Sequence, residues 1–397
     1  GKTAVITGRT CQLVTSGISA SRILVVTFTR AAAKEMKERY LKAMGKTSTQ
    51  VTFGTFHGVF YAILRHTYRM SGNNILSEEE KKRLMRELVN HYARDLEEED
   101  LEENLAREIS TVKNNQIPLE HYYSACMPQE KFREIYEAYE KWRKENKKLD
   151  FDDLMVQCKR LFLERPEVLR AWQQKFQYIL IDEFQDISPV QYEIVRMLAL
   201  PENNLFIVGD DDQSIYRFRG AKPEIMLGFE KDFPGTKRVL LGTNYRSTKE
   251  IVETSLKLIG HNKVRFEKKL EPFRGSGRPV DFRVFDNPGH EMDTVAQSIR
   301  AYHDAGYAWN EIAVLFRTGT NSGLMAERLM GYNIPFQLRD VIPNLYSHWI
   351  AKDLFAYMEI AAGSRKRSDF YRIMNRPNRY FSRDAFDTPT VSFDRLK

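Results

Sequence analysis

The chain has 397 residues, 42% hydrophobic and 29% charged, a composition ordinary for a soluble globular protein and long enough for two or three domains with proper cores. No run approaches eighteen uninterrupted apolar residues, which argues against a membrane span, and three scattered cysteines (Cys11, Cys126, Cys158) without metal-site spacing suit a reducing cytoplasm. The formal net charge of +7 admits a nucleic-acid partner without establishing one.

The first residues, GKTAVITGRT, lack the apolar core and cleavage site of a signal peptide, and a helix is expected over about Lys2 to Thr15. Ile23–Thr29 (ILVVTFT) reads as a buried strand, Val51–Phe53 as a shorter one, and Gly54–Arg65 as a turn into a helix. From Ser71 to Glu164 strand signals vanish and Glu, Lys, Arg and Leu recur at helical spacing. This stretch reads as an all-helical insertion, with a helix starting at the capping-box pair Ser77 and Glu80. The acidic run Leu96–Asn104 reads as a solvated helix face.

Strand character returns at Tyr178–Ile181, Leu205–Val208 and Val239–Leu241. A second alternating region follows, with strands expected at Val280–Phe285, Ile312–Thr318 and Pro335–Leu338 and helices at Glu291–Ala305, Ser322–Met330 and Trp349–Ala362. Glu271–Pro279 (EPFRGSGRP) reads as a flexible surface loop and Arg365–Arg367 as a short basic turn.

Chemistry concentrates where two apolar runs end. YILI is followed by Asp182, Glu183, Gln185 and Asp186, and LFIVG by Asp210, Asp211, Asp212 and Gln213. Runs with little alternation are parallel strands buried on both faces, and ligands gather at the carboxyl ends of such strands. Gly1, Lys2 and Thr3 have the form of the last three positions of a GxxxxGK[ST] phosphate loop, where the lysine reaches phosphate oxygens and the hydroxyl binds Mg²⁺. On that pattern Asp182 holds Mg²⁺ and Glu183 orients or deprotonates the attacking water, while Gln213 contacts the water and the γ-phosphate. Phe28, Phe56, His57, Tyr216 and Phe218 lie at strand-to-helix junctions beside Arg30, Arg217 and Arg219, a mixture suited to stacking on single-stranded bases; taken singly, each is as compatible with ordinary packing. Tyr245 and Arg246 open the second α/β unit, and the arginine is placed either to reach a γ-phosphate or to form a surface salt bridge.

Together these residues resemble the motifs of superfamily 1A helicases, the UvrD/Rep/PcrA family. TFTRAAAKEM resembles motif Ia, TFGTFHG motif Ib, ILIDEFQD motif II, IVGDDDQSIYRFRGA motif III and NYRS motif IV, and FDDL ahead of motif II also recurs in that family. Order and spacing match, so the resemblance covers nearly the whole chain. It implies a P-loop NTPase of α/β class: a first RecA-like parallel-sheet domain over residues 1–70 and 165–236, interrupted by a helical insertion at 71–164. Part of a second RecA-like domain would follow over 237–380, and a helical subdomain would begin at 381–397. It also implies an ATP-driven motor moving 3′ to 5′ on single-stranded DNA, acting at single-strand/duplex junctions.

Carried over by position, Gly1, Lys2, Thr3 and Tyr245 bind ATP, with Tyr245 stacking on adenine. Thr3 and Asp182 serve Mg²⁺, and Glu183, Asp182, Gln213 and Arg246 carry the chemistry, Arg246 as an arginine finger. Phe28, Thr29, Arg30, Thr55, His57, Tyr216, Phe218 and Arg219 fall on the DNA track. Phe218 stands where the family more usually has tryptophan, and Arg30 replaces a common asparagine. The adenine-recognising glutamine and motifs V and VI are not in the sequence, so the chain reads as a fragment. Two alternatives stay open: a fragment that binds nucleotide and single-stranded DNA without turnover, and the motor part of a helicase–nuclease.

Overall fold

The computed structural model describes residues 1–93, 101–115, 117–214, 221–317, 319–339, 346, 348–381 and 388–392. They form two compact units, Gly1–Val280 and Asp281–Lys397. The first is organised by four parallel strands, β1 (Ile23–Thr27), β2 (Thr52–Thr55), β3 (Tyr178–Ile181) and β4 (Leu205–Ile207), in the order β2-β1-β3-β4. Val25 pairs with Phe53 on one side and Leu180 on the other, and Leu180 with Phe206.

Successive side chains of a strand point to opposite faces, and both faces of this sheet are covered. Leu24, Val26, Ile179 and Ile181 pack into the core built by α3 (Phe56–Tyr68), α7 (Phe151–Glu164) and α9 (Pro189–Ala199). Ile23, Val25 and Leu180 pack instead on Ile6 and Leu13 of α1 (Lys2–Thr15) and on Met36 and Tyr40 of α2 (Arg30–Met44). β1 stops two residues short of the expected Thr29, because the Thr29 hydroxyl caps α2 by accepting from the Ala32 N–H at 3.1 Å. Thr55 caps α3 in the same way, from the Gly58 N–H at 3.1 Å.

The helical insertion comprises α4 (Glu78–Tyr92), α5 (Leu101–Asn115) and α6 (Gln129–Glu145), leading into α7 and then α8 (Pro166–Lys175). The predicted capping box is present: the Ser77 hydroxyl accepts from the Glu80 N–H at 3.2 Å, and Glu80 accepts from the Ser77 N–H at 3.0 Å. Residues 96–100 of the acidic run lie outside the described residues. The insertion has its own apolar core, including Leu84, Met85, Leu105, Ile109, Phe132 and Ile135. A buried ionic network joins its helices. Lys113 of α5 reaches Glu140 at 2.7 Å, Asp150 at 3.0 Å and Asp153 at 2.9 Å, and Arg143 of α6 reaches Asp153 at 3.0 Å. Asp150 and Asp153 also cap the start of α7 reciprocally, at 2.7 and 3.0 Å.

After β4 come α10 (Pro223–Leu227) and α11 (Phe229–Asp232), a short parallel pair β5 (Thr243–Asn244) and β6 (Glu271–Pro272), and between these α12 (Lys249–Ile259). In the second unit α13 (Pro288–Asp304) and α14 (Thr320–Gly331) share a core of Met292, Ala296, Ile299, Met325, Leu329 and Ile334. The helices α15 (Trp349–Ala361) and α16 (Arg367–Ile373) follow.

The strands expected at 239–241, 280–285, 312–318 and 335–338 are not formed as strands among the described residues, Thr318 lying outside these. Apolar β-branched and aromatic residues favour extension, but a strand is held by a paired neighbour. Here Val239, Phe282 and Leu315 are 78%, 88% and 92% exposed, outside any sheet. The segment 271–279 also departs from the free loop expected of it. The Gly277 N–H donates to Glu250 at 2.7 Å, and a Cβ on Gly277 would fall 2.6 Å from the Thr248 methyl, so a glycine lets this segment lie against the start of α12. No helix among the described residues is long and apolar enough to cross a membrane.

Candidate functional site

Because β1 to β4 are parallel, their carboxyl ends share one edge, and most of the candidate residues of the first unit with described positions lie there. At the β3 end Asp182 is 3% exposed, its N–H donating to the Val26 carbonyl at 2.9 Å. Burial and the adjacent Glu183 push its carboxyl up from the ordinary aspartate value, against the pull of Lys2. Glu183 adopts φ 51° and ψ 41°, a left-handed conformation that is costly for a residue with a Cβ and recurs at functional sites. Its carboxylate forms an ion pair with the Lys2 ammonium, at the start of α1.

Gln185, nearly fully buried, joins the two acid-ended strands. Its Nε2 donates to Glu183 Oε2 at 2.9 Å, and its Oε1 accepts from the Asp210 N–H at 2.9 Å. The approach requires glycine at position 209, where a Cβ would lie 2.8 Å from Gln185 Oε1. Gln213 is exposed, and its Nε2 donates to Asp210 Oδ2 at 2.7 Å. Lys2, Glu183, Gln185, Asp210 and Gln213 therefore form one connected polar chain. Beside it Asp186 is pushed up to about 6 by burial and by Glu183, with one buried carboxylate oxygen lacking a hydrogen-bond partner.

Gly1 is the N-cap of α1, and the Thr3 carbonyl accepts from the Thr7 hydroxyl at 2.9 Å. Tyr245 is 61% exposed, its ring 4.9 Å from that of Phe273. Arg246 is exposed, its backbone N–H held by Asn244 Oδ1 at 2.9 Å. Among the described contacts none joins Tyr245 or Arg246 directly to Lys2, Glu183 or Gln213.

At the β1 and β2 ends, Arg30, Ala33, Lys34, Lys37, Phe53, Gly54, Thr55 and Gly58 line an open groove of about 340 Å³. Thr29 and Thr55, as caps, set the starts of the two helices that border it. Lys34 and Lys37 escaped the sequence reading, although they follow Arg30 at i+4 and i+7 and so share its helix face. Phe28 packs edge-on against Phe56 at 5.2 Å, and Phe56 itself is a core residue. His57 meets the Phe151 ring edge-on at 5.7 Å; burial pushes its pKa down, with Asp152 partly opposing. Tyr216, Phe218 and Arg219 lie outside the described residues.

Residues 1–234 match the family model of the UvrD/REP helicase N-terminal domain, and residues 239–391 that of the UvrD-like helicase C-terminal domain. The chain is 38% identical to YjcD of Bacillus subtilis over 366 residues, covering 90% of this chain and 48% of that protein. It is 34% identical to the ATP-dependent DNA helicase PcrA of Leuconostoc citreum (96% and 52% covered) and 33% identical to PcrA of Staphylococcus aureus (96% and 53% covered). The chain thus spans about half the length of the curated relatives it matches. With both family models matched in order over nearly its whole length, the chain belongs to the UvrD/Rep family of helicases.

Proposed function

We propose that this chain is the nucleotide-binding and DNA-tracking part of an ATP-dependent 3′–5′ DNA helicase that works on single-stranded DNA and at junctions. The observation that carries the reading is the division of one sheet edge. The β3 and β4 ends hold a lysine–carboxylate–amide chain, while the β1 and β2 ends hold a groove lined by Arg30, Lys34 and Lys37. Residues 1–70 and 165–236 would form the first RecA-like domain, 71–164 its insertion, and 237–380 part of the second, with a helical subdomain beginning at 381. A cytoplasmic location belongs to the same reading.

In this reading Lys2 leaves Glu183 for the phosphates of ATP, and Glu183, freed of its ion pair, accepts the proton of the attacking water. Gln213 orients that water against the γ-phosphate, Arg246 supplies positive charge there, and Tyr245 stacks on the base. Asp182, Glu183 and Asp186 crowd three carboxylates around one lysine, and Asp186 keeps an unpartnered buried oxygen, a charge imbalance that fits a divalent cation. Thr3 and Asp182 would hold Mg²⁺, which supplies charge neutralisation at the phosphate oxygens when bound. Few protein ligands suffice for Mg²⁺ beside a nucleotide. Phe28, Thr29, Arg30, Thr55, His57, Tyr216, Phe218 and Arg219 would contact the strand. His57, held neutral by its surroundings, would do so by stacking or hydrogen bonding rather than by charge.

Two measurements check this reading. The full-length protein is expected to separate duplexes bearing a 3′ single-stranded tail and to leave 5′-tailed duplexes intact; the reverse preference would refute the polarity. If Lys34 and Lys37 each neutralise a phosphate, replacing both with alanine should flatten the slope of log K against log[salt] for single-strand binding by about 1.4. An unchanged slope would remove the groove from the interface.

A further inference from the structure

Three consecutive carboxylates, Asp210, Asp211 and Asp212, precede Gln213, and in a single turn they would repel one another. They are instead gripped by the segment that follows α12. Lys268 bonds Asp210 Oδ1 at 2.6 Å and Asp212 Oδ2 at 3.1 Å, and also pairs with Asp211. Arg265 makes a bidentate pair with Asp212, at 2.7 and 2.6 Å, a geometry that fixes direction as well as charge. The Phe266 N–H donates to Asp211 Oδ2 at 2.8 Å. The Lys268 side chain is only 9% exposed, so solvent screens these contacts weakly.

The grip has two ends. On one side Asp210 accepts from Gln213, and its own N–H reaches Gln185, which bonds Glu183. On the other, three residues after Lys268, the chain enters β6: the Glu271 N–H donates to Gly242 at 2.7 Å and the Phe273 N–H to Asn244 at 2.9 Å. The Asn244 side chain in turn accepts from the Arg246 N–H. Gln213 and Arg246, which do not touch, are thus joined through Asp210, Lys268 and the β5–β6 pair.

We propose that Arg265 and Lys268 are positioning residues: their clamp on Asp210–Asp212 sets the strand pair bearing Tyr245 and Arg246 against the turn bearing Gln213, so that both sides respond together to the nucleotide at Lys2 and Glu183. The inference rests on the nucleotide reading above. Among the described contacts the clamp touches neither Lys2 nor Glu183, and it reaches the nucleotide only through the placing of Tyr245 and Arg246, so its loss should reach coupling more than nucleotide affinity.

The test uses the full-length protein and Lys268→Met, Lys268→Arg and the charge exchange Asp212→Arg/Arg265→Asp. Affinity for a fluorescent ATP analogue, basal turnover, turnover at saturating single-stranded oligonucleotide and melting temperature are measured for each. Lys268→Met is expected to keep nucleotide affinity within about twofold while losing at least about fivefold of the oligonucleotide stimulation. Lys268→Arg should recover stimulation, and the charge exchange should recover more than Arg265→Asp alone. Full stimulation in Lys268→Met would overturn the clamp. So would parallel loss of melting temperature, nucleotide affinity and turnover without recovery in Lys268→Arg, since that is the signature of a merely structural pair. A wild type that neither binds nucleotide nor responds to oligonucleotide would instead overturn the nucleotide reading beneath it.

Discussion

Glu183→Gln is expected to lower ATP turnover by about 10²–10⁴-fold while leaving nucleotide and DNA binding in place. The substitution keeps the shape of the side chain and its hydrogen bond from Gln185 but removes the charge that would take a proton from water. Little stability should go with it, because the ion pair with Lys2 is partly exposed on both sides and such pairs contribute weakly. The left-handed backbone at Glu183 sharpens the test. Glycine adopts φ 51° freely, so Glu183→Gly relieves the backbone strain but also removes the acceptor of the buried Gln185 amide. The two offset, so its stability should stay within about 1 kcal/mol of wild type, and it should be as inactive as the glutamine variant. Single-turnover hydrolysis and thermal melting of the two variants separate strain from chemistry. Turnover near the wild-type rate in Glu183→Gln would assign the base elsewhere.

Lys113→Met is expected to destabilise the protein by about 3–5 kcal/mol, far from the nucleotide. Lys113 is buried among Glu140, Asp150 and Asp153, and removing it leaves three carboxylates facing only Arg143 and, 4.0 Å from Asp150, Lys81. Burial alone raises the Asp150 pKa, but Lys113 and Lys81 outweigh it and hold the carboxyl below the ordinary range; burial and Asp150 push Asp153 up. Without Lys113 both carboxyls would titrate higher than they do in the wild type. The folded variant then binds protons more tightly than the folded wild type. Its deficit relative to wild type is therefore largest near neutral pH and shrinks as pH falls through the raised folded values. Urea unfolding of both proteins at pH 7.5 and pH 5 checks magnitude and sign. A deficit below about 1 kcal/mol, or one that grows on acidification, would contradict it.

Much of the first unit was legible because its signals are local. Ile23–Thr27, Tyr178–Ile181 and Leu205–Ile207 are apolar without alternation, as strands covered on both faces must be, and Ser77 and Glu80 cap a helix three residues apart. The site candidates Glu183 and Gln213 could be named because acids and amides abruptly end such strands, and Lys2 because Gly1–Thr3 has the form of a phosphate loop. What escaped depends on partners distant in sequence. Lys113 meets Asp150 across 37 positions, and Lys268 meets Asp210 across 58. Neither has a periodicity that marks it. Lys34 and Lys37 were a different failure, since their spacing from Arg30 was available. The extended segments at 239–241 and 280–285 show the opposite limit: a pattern specifies which residues favour extension but not the neighbour that would hold them in a sheet.

In the proposed reading one sheet edge couples ATP to single-stranded DNA. The measurement that tests it most directly is the rate of ATP hydrolysis by the full-length protein as single-stranded oligonucleotide is titrated in, with Lys2→Ala as the control. A rate that rises severalfold to a plateau, and vanishes in Lys2→Ala while the oligonucleotide still binds, is the predicted result. A rate indifferent to oligonucleotide, or one that survives in Lys2→Ala, would contradict the account.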